Sequence, residues 1–332
     1  MVICFVWTAV CIAVSSAVLE YSSFHEFKNA FNKSYMHAFD EYRSKEAFEQ
    51  NVNIVRQHNK LYEKGESSYR LRTNIMADMN GDSYLKGFLR LLQNKGFRAD
   101  IDMDSEIVGS PMMQQTPENI DWREKGFKTQ PDNQKTCGSC YAFSIARNIE
   151  GQVFKRTGRL LHLSPQQIVD CSVSHGNQGC TGGSLRNTFK YLQDTGGLMR
   201  EQDYKYVSKV NCLDKGVCQF AGELAVVNVT SWAILPAKDE KAIEAAVAHI
   251  GPVPVSINAS PRTFQLYSDG IYDDDSCSSD TVNHAMLVVG YNKDYWILMN
   301  WWGELWGENG YMRLRKGKNL CGVANYAAYS IV

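Results

Sequence analysis

The chain has 332 residues, a formal net charge of −1 and 44% hydrophobic residues. That is enough apolar material for a sizeable core in one or two domains. Neither acid nor base dominates, which argues against nucleic acid or an anionic membrane as the main partner.

The first element is an uninterrupted apolar run, VICFVWTAVCIAV, followed by Ser15, Ser16 and Ala17. It is too short to span a bilayer easily and is similar to a secretory signal, residues 1–17, cut after Ala17, although no Lys or Arg precedes it. Of the ten cysteines, Cys4 and Cys11 fall inside it, and the other eight all follow residue 136. Cysteines confined in this way suggest bridges formed in an oxidising compartment, and a separate N-terminal unit without them.

Residues 18–80 are rich in charge, aromatics and helix formers. Phe24, Phe27, Phe31 and Tyr35 recur at helical spacing, as do Phe48, Asn51, Val55 and Asn59, so two packed amphipathic helices are expected. SSYRLRTNIMADM then alternates as a short strand would. Residues 80–115 lose the pattern, with Gly81, Gly87, Gly96, the acidic run DIDMDSE and Gly109-Ser110-Pro111, and read as an exposed linker. A helix is predicted from Cys140 to about Thr157, closed by Gly158, and another over SPQQIVDCS, capped by Ser164 with Pro165 at its first position. SLRNTFKYLQDTGG and DEKAIEAAVAHIGP are two further helices. After them VPVSINAS, HAMLVVGYN, YWILMNWWG, GYMRLRKG and YAAYSIV alternate as strands. Helices first and strands later predict an α+β fold in two lobes.

The chemistry concentrates at CGSC, where Cys137 and Cys140 precede a helix. A structural zinc site would need a second ligand pair, and the sequence has no other CxxC and no HxxxH. A thioredoxin-like site would need a preceding strand in a small βαβ unit, which is not evident. The remaining reading splits the roles: Cys137 is bridged, and Cys140 is a free thiol in the first helical turn. Ser139 could cap that helix, and the helix N-terminus would lower the thiol pKa, producing a nucleophile for acyl transfer. A base is then needed. His25, His37 and His58 read as solvated helix residues, and His162, His175 and His249 lack supporting context. His284 opens an apolar strand; taken alone, a histidine there is more often structural. Asn300 ends the next strand and could reach it, with Trp301-Trp302-Gly303 screening the contact from water.

QKTCGSCYAF, NHAMLVVGY and NWWGELWGENGYMRL resemble the three catalytic blocks of the papain family of cysteine proteases, nearest its cathepsin L group. The separations from Cys140 to His284 and Asn300 are 144 (284 − 140) and 160 (300 − 140). The resemblance implies a papain-like two-lobe fold, with a helical left lobe and a β-barrel-like right lobe behind a helical propeptide. PENIDWREKGF looks like the family's mature N-terminus, implying a cut near Gln115 or Thr116, a propeptide over 18–115 and a peptidase domain over 116–332. Phe48, Asn51 and Asn59 fit the family's helical propeptide motif, with Asp40, Ser44 and Val55 at its usual Glu, Arg and Ile positions. Asn74 and Asp78 fit a second motif, with Met76 in place of Phe.

By the same resemblance Cys140 attacks the peptide carbonyl, His284 pairs with it and protonates the leaving amine, and Asn300 orients the imidazole. Gln134 and the Cys140 backbone N–H would meet the oxyanion. Bridges Cys137–Cys180 and Cys277–Cys321 are implied. Cys171 has two candidate partners, Cys212 and Cys218; the resemblance favours Cys218. GCTGGSL resembles the glycine-rich wall of the substrate cleft, so Gly182, Gly183, Ser184, Leu185, Ser256, Val282, Asn283, Ala285 and Tyr326 are implied to line it. Tyr326, where a small residue is common, would shorten the pocket for the P2 side chain. Other departures are Tyr141 for the common Trp, Pro131-Asp132 before Gln134, and Trp301 for the usual Ser beside Asn300. The implied function is a cysteine endopeptidase made as a zymogen. No cofactor or metal is implied. The implied partners are protein or peptide substrates, the chain's own propeptide and cystatin-type inhibitors. A monomer in the secretory pathway, lysosomal or extracellular, is expected. The alternatives are a protease-fold decoy blocked by Trp301, and an inhibitor released from residues 18–115. Asn32, Asn228 and Asn258 lie in glycosylation sequons.

Overall fold

The computed structural model describes residues 21–92, 115–129, 132–207 and 218–332. The apolar leader, Pro131, Cys212 and the segment 93–114 lie outside them. Helices α1 (Phe24–Ala30) and α2 (Ala38–Glu63) cross through aromatic contacts, with the Phe27 and Phe48 ring centroids 4.8 Å apart. Tyr35 lies beyond α1, and its hydroxyl donates to Asp78 at 2.8 Å. The expected strand is the three-residue β1 (Tyr69–Leu71).

The expectation of a patternless linker from residue 80 is corrected. Gly81–Phe88 is a helix, α3, whose Asn80 side chain accepts the Ser83 N–H at 2.9 Å. Glycine costs about 1 kcal/mol in a helix interior. Burying Tyr84 and Phe88, four residues apart on one face, returns roughly 2 kcal/mol each and outweighs it.

The rest follows β2 (Ile120–Asp121), α4 (Cys140–Thr157), α5 (Pro165–Cys171), α6 (Leu185–Thr195), β3 (Leu198–Met199), β4 (Ala225–Val227), β5 (Ser231–Ile234) and α7 (Glu240–His249). Then come β6 (Val253–Ile257), α8 (Arg262–Gln265), β7 (Tyr267–Tyr272), β8 (His284–Tyr291), β9 (Tyr295–Met299), β10 (Tyr311–Arg315) and β11 (Ala328–Ile331). Gly158, at φ 70°, ends α4, and the Ser164 hydroxyl caps α5. Ser139 does not cap α4; its hydroxyl lies 2.7 Å from that of Tyr206.

The main sheet runs β1-β7-β10-β9-β8-β2, with β6 also on β8. β6 and β2 share one edge of β8 end to end, pairing with residues 284–288 and 290–291. β11 pairs only with β5, so among the described residues no ladder closes the sheet, and the right lobe is open rather than a barrel. β1 pairs with β7, which fastens the N-terminal unit to this sheet by main-chain bonds. Helix α4 lies buried between the lobes, where the Ser144 hydroxyl donates to the Met286 carbonyl at 2.8 Å. Disulfides join Cys137 to Cys180, Cys171 to Cys218 and Cys277 to Cys321.

Candidate active site

Cys140 is the first residue of α4, His284 the first of β8, and Asn300 follows β9 directly. The antiparallel register of β8 with β9 brings the last two together, with His284 Nε2 2.7 Å from Asn300 Oδ1. The Trp301 backbone N–H donates to the same Oδ1 at 2.9 Å. An oxygen that accepts from that N–H accepts from the imidazole as well, so His284 carries its proton on Nε2. Nδ1 then has a free lone pair and no hydrogen-bond partner among the described residues. The Trp302 ring stacks on the imidazole at 4.9 Å. Cys140 is the one free cysteine among the described residues, and it is fully buried.

The N-terminal unit covers this site. The Tyr84 and Phe88 rings meet Trp302 edge-on at 5.7 and 5.9 Å. Leu91 donates to the Asn283 carbonyl at 3.0 Å and Leu92 to the Gly183 carbonyl at 2.9 Å. Glycine is required on this wall. A Cβ at Gly138 would lie 2.6 Å from that of Arg90, and one at Gly183 would lie 2.6 Å from the Tyr141 ring.

Burial pushes the Cys140 thiol up to about 12, against the opposing N–H groups of Ala285, Tyr141 and Cys140 itself. It drives the His284 imidazole down to about 4, against the Asn300 contact. The expected low thiol pKa is therefore corrected for this covered form. The helix N-terminus does act on the sulfur, but removal from water outweighs it.

Gln134 is buried beside the cysteine loop. Its Nε2 donates to the Cys137 carbonyl at 2.8 Å and to the Phe88 carbonyl of the N-terminal unit at 3.3 Å. The expected cleft residues come from both lobes. Ser184 and Leu185 start α6, Ser256 pairs with Ala285 across β6 and β8, and Val282 lies against Gly322. The Tyr326 carbonyl accepts the Ser256 N–H at 2.8 Å. Burial raises the Tyr326 hydroxyl pKa, and the Arg186 cation on α6 opposes that rise. Arg186 was not singled out from sequence; its place beside Leu185 was the available signal.

Other contacts also escaped the sequence reading. Tyr206 donates to the Gln134 carbonyl at 2.9 Å and packs on Phe143 at 4.7 Å. Asp132 holds Arg147 at 2.7 Å. His58 is half-buried against the Tyr69 carbonyl at 3.0 Å, not solvated. Asn258 is buried, its amide donating to the Ser278 carbonyl at 2.9 Å, so that sequon cannot carry a glycan in the folded chain. Among the described residues no group of side chains could hold a metal ion, and no helix is long and apolar enough to cross a membrane.

A two-lobed α+β fold with a cysteine at a helix start, facing a His–Asn pair and covered by an N-terminal helical unit, defines a class of thiol protease precursors. The chain belongs to the papain family of cysteine proteases, whose model matches residues 116–331, and the cathepsin propeptide inhibitor domain (I29) matches residues 24–84. It is similar to procathepsin L of Rattus norvegicus, 38% identical over 320 residues covering 94% of this chain and 92% of that one. Cathepsin L2 of Homo sapiens is 36% identical over 338 residues, covering 98% of each. The structure of digestive procathepsin L 3 from the larval midgut of Tenebrio molitor superposes with a TM-score of 0.83 at 34% identity, covering 93% of this chain and 97% of that one. The chain is a cathepsin L-like cysteine endopeptidase carried as a zymogen with its own inhibitory propeptide. Nothing supports the decoy. Trp301 lies buried between Phe143 and Ala285, and the rings of the N-terminal unit meet Trp302 instead.

Proposed function

We propose that Cys140 is the nucleophile, His284 its acid–base partner, Asn300 the group that orients the imidazole, and Gln134 with the Cys140 N–H the oxyanion donors. The tautomer of His284 carries this reading. With Nε2–H committed to Asn300, Nδ1 is left to take the thiol proton once the cleft opens. The thiolate then attacks the peptide carbonyl and the imidazolium protonates the leaving amine. Water hydrolyses the thioester and regenerates the thiol. Gln134 now donates to a peptide carbonyl of the propeptide, the group it would meet in a substrate. An epoxide inhibitor of cysteine proteases, added after propeptide removal, should label Cys140 and abolish activity together. Label on any other residue, or activity that survives it, would overturn the assignment.

The same reading sets the boundaries at residues 1–17 for the signal, 18–115 for the propeptide and 116–332 for the peptidase, in line with the family match beginning at residue 116. The mature enzyme acts as a monomer on protein or peptide substrates in the secretory pathway, lysosomal or extracellular, and is open to cystatin-type inhibitors. Asn228, exposed on the peptidase, and Asn32, exposed on the propeptide, are the glycan sites. Gly182, Gly183, Ser184, Leu185, Ser256, Val282, Asn283, Ala285 and Tyr326 bind substrate, with Tyr326 closing the pocket for the P2 side chain.

A further inference from the structure

Trp301 stands where four parts of the site converge, and each contact involves a different part. Its indole N–H donates to the Ala285 carbonyl at 2.9 Å. Its backbone N–H donates to Asn300 Oδ1 at 2.9 Å, and its carbonyl accepts the Gln134 N–H at 2.8 Å. Its ring stacks on Phe143 at 5.8 Å and 21°, three residues past Cys140 on α4. The opposing side of this arrangement is also fixed. Tyr206 packs on Phe143, donates to the Gln134 carbonyl and, having one proton to give, accepts from the Ser139 hydroxyl at 2.7 Å. A closed ring of contacts thus runs Trp301–Phe143–Tyr206–Gln134–Trp301, and Ser139, the residue before the nucleophile, is bonded to its Tyr206 member.

We propose that Trp301 is a positioning residue. Its indole fixes the start of β8, with His284 and Ala285, against the start of helix α4, with Cys140. The inference rests on the assignment of Cys140, His284 and Asn300. The backbone contacts of residue 301 are open to any side chain, so the indole N–H and the stack are what tryptophan adds. Both are fully buried. Without the N–H, the Ala285 carbonyl is left in the interior with a donor missing. Relief requires residue 285 to shift, and the adjoining His284 moves relative to Cys140 as it does. The larger loss falls on the chemical step, because the indole grips Ala285 by its backbone carbonyl and the ring touches none of the other cleft residues that hold substrate side chains.

The test uses the processed enzyme with three forms at position 301: wild type, Trp301→Phe, and an isosteric replacement by benzothienylalanine. The last keeps the ring's shape and stacking and removes only the N–H. Both variants should lose kcat by about tenfold or more while KM stays within about twofold. The pH dependence of Cys140 alkylation by iodoacetamide should move to higher pH in both. If the benzothienylalanine form keeps the wild-type kcat and alkylation profile, Trp301 only fills space and the proposal fails. That isostere also covers the case in which Trp301→Phe does not fold. Epoxide labelling of the wild type is read separately. Failure to label Cys140 there would sink the active-site assignment itself, and the role of Trp301 with it.

Discussion

At the scale of single residues, function here is decided by which polar groups still have a lone pair or proton to give. His284 Nδ1 has one; Asn300 Oδ1 is committed twice, to the imidazole and to the Trp301 N–H. Tyr326 poses a question of volume. A tyrosine ring stands where the papain family commonly has a small residue, so we expect a shallow P2 pocket that prefers Val or Leu over Phe. Tyr326→Ala should reverse that order, raising kcat/KM for Phe-P2 peptides by about tenfold or more. Hydrolysis of matched Val-, Leu- and Phe-P2 peptides by both forms is the measurement. A wild-type preference for Phe would mean the tyrosine swings out of the pocket.

At the scale of elements, the cover over the site is built from α3 and the strand-like segment after it. Tyr84 is fully buried, with its hydroxyl donating to the Ala259 carbonyl at 2.6 Å and its ring against Trp302. Truncating a buried aromatic ring costs about 3–5 kcal/mol. In the opened zymogen Tyr84 is solvated, so the whole cost falls on the closed form. Tyr84→Ala should speed epoxide labelling of the unprocessed zymogen by about 10²-fold or more. Tyr42→Ala, on an exposed face of α2, should change nothing. This helix was also the least legible element in the sequence. Its glycines at 81 and 87 read as punctuation, and the Tyr84/Phe88 spacing gained meaning only from Trp302, far along the chain. By contrast α4, α6 and α7 and the strands β6 and β8 to β11 were legible from their own periodicity and caps. The three blocks around Cys140, His284 and Asn300 could be read locally as well. What could not be read was long-range. Ser139 is diverted from capping by Tyr206, and Trp301 reaches both α4 and β8.

For the whole molecule, burial under the propeptide changes where one proton sits. With the thiol raised to about 12 and the imidazole lowered to about 4, the covered pair holds a single proton, on sulfur, between those limits. An exposed thiolate–imidazolium pair also holds one proton, on nitrogen. Opening therefore moves a proton without taking one up, and this pair adds no pH dependence to activation from about pH 4 up to the ordinary thiol range, where both forms hold that one proton. The sign differs only at the edges. Above the ordinary thiol range the opened form loses its proton first, so rising pH favours opening. Any acid trigger must come from groups outside this pair. The location of the proton can be measured directly. Far-ultraviolet thiolate absorbance, taken as the difference from Cys140→Ala, should be absent from the intact zymogen until pH exceeds about 10. After processing, the same signal should be present at neutral pH. A thiolate signal at neutral pH in the uncleaved chain would mean that water reaches the sulfur beneath the propeptide, and that inhibition rests on blocked access alone.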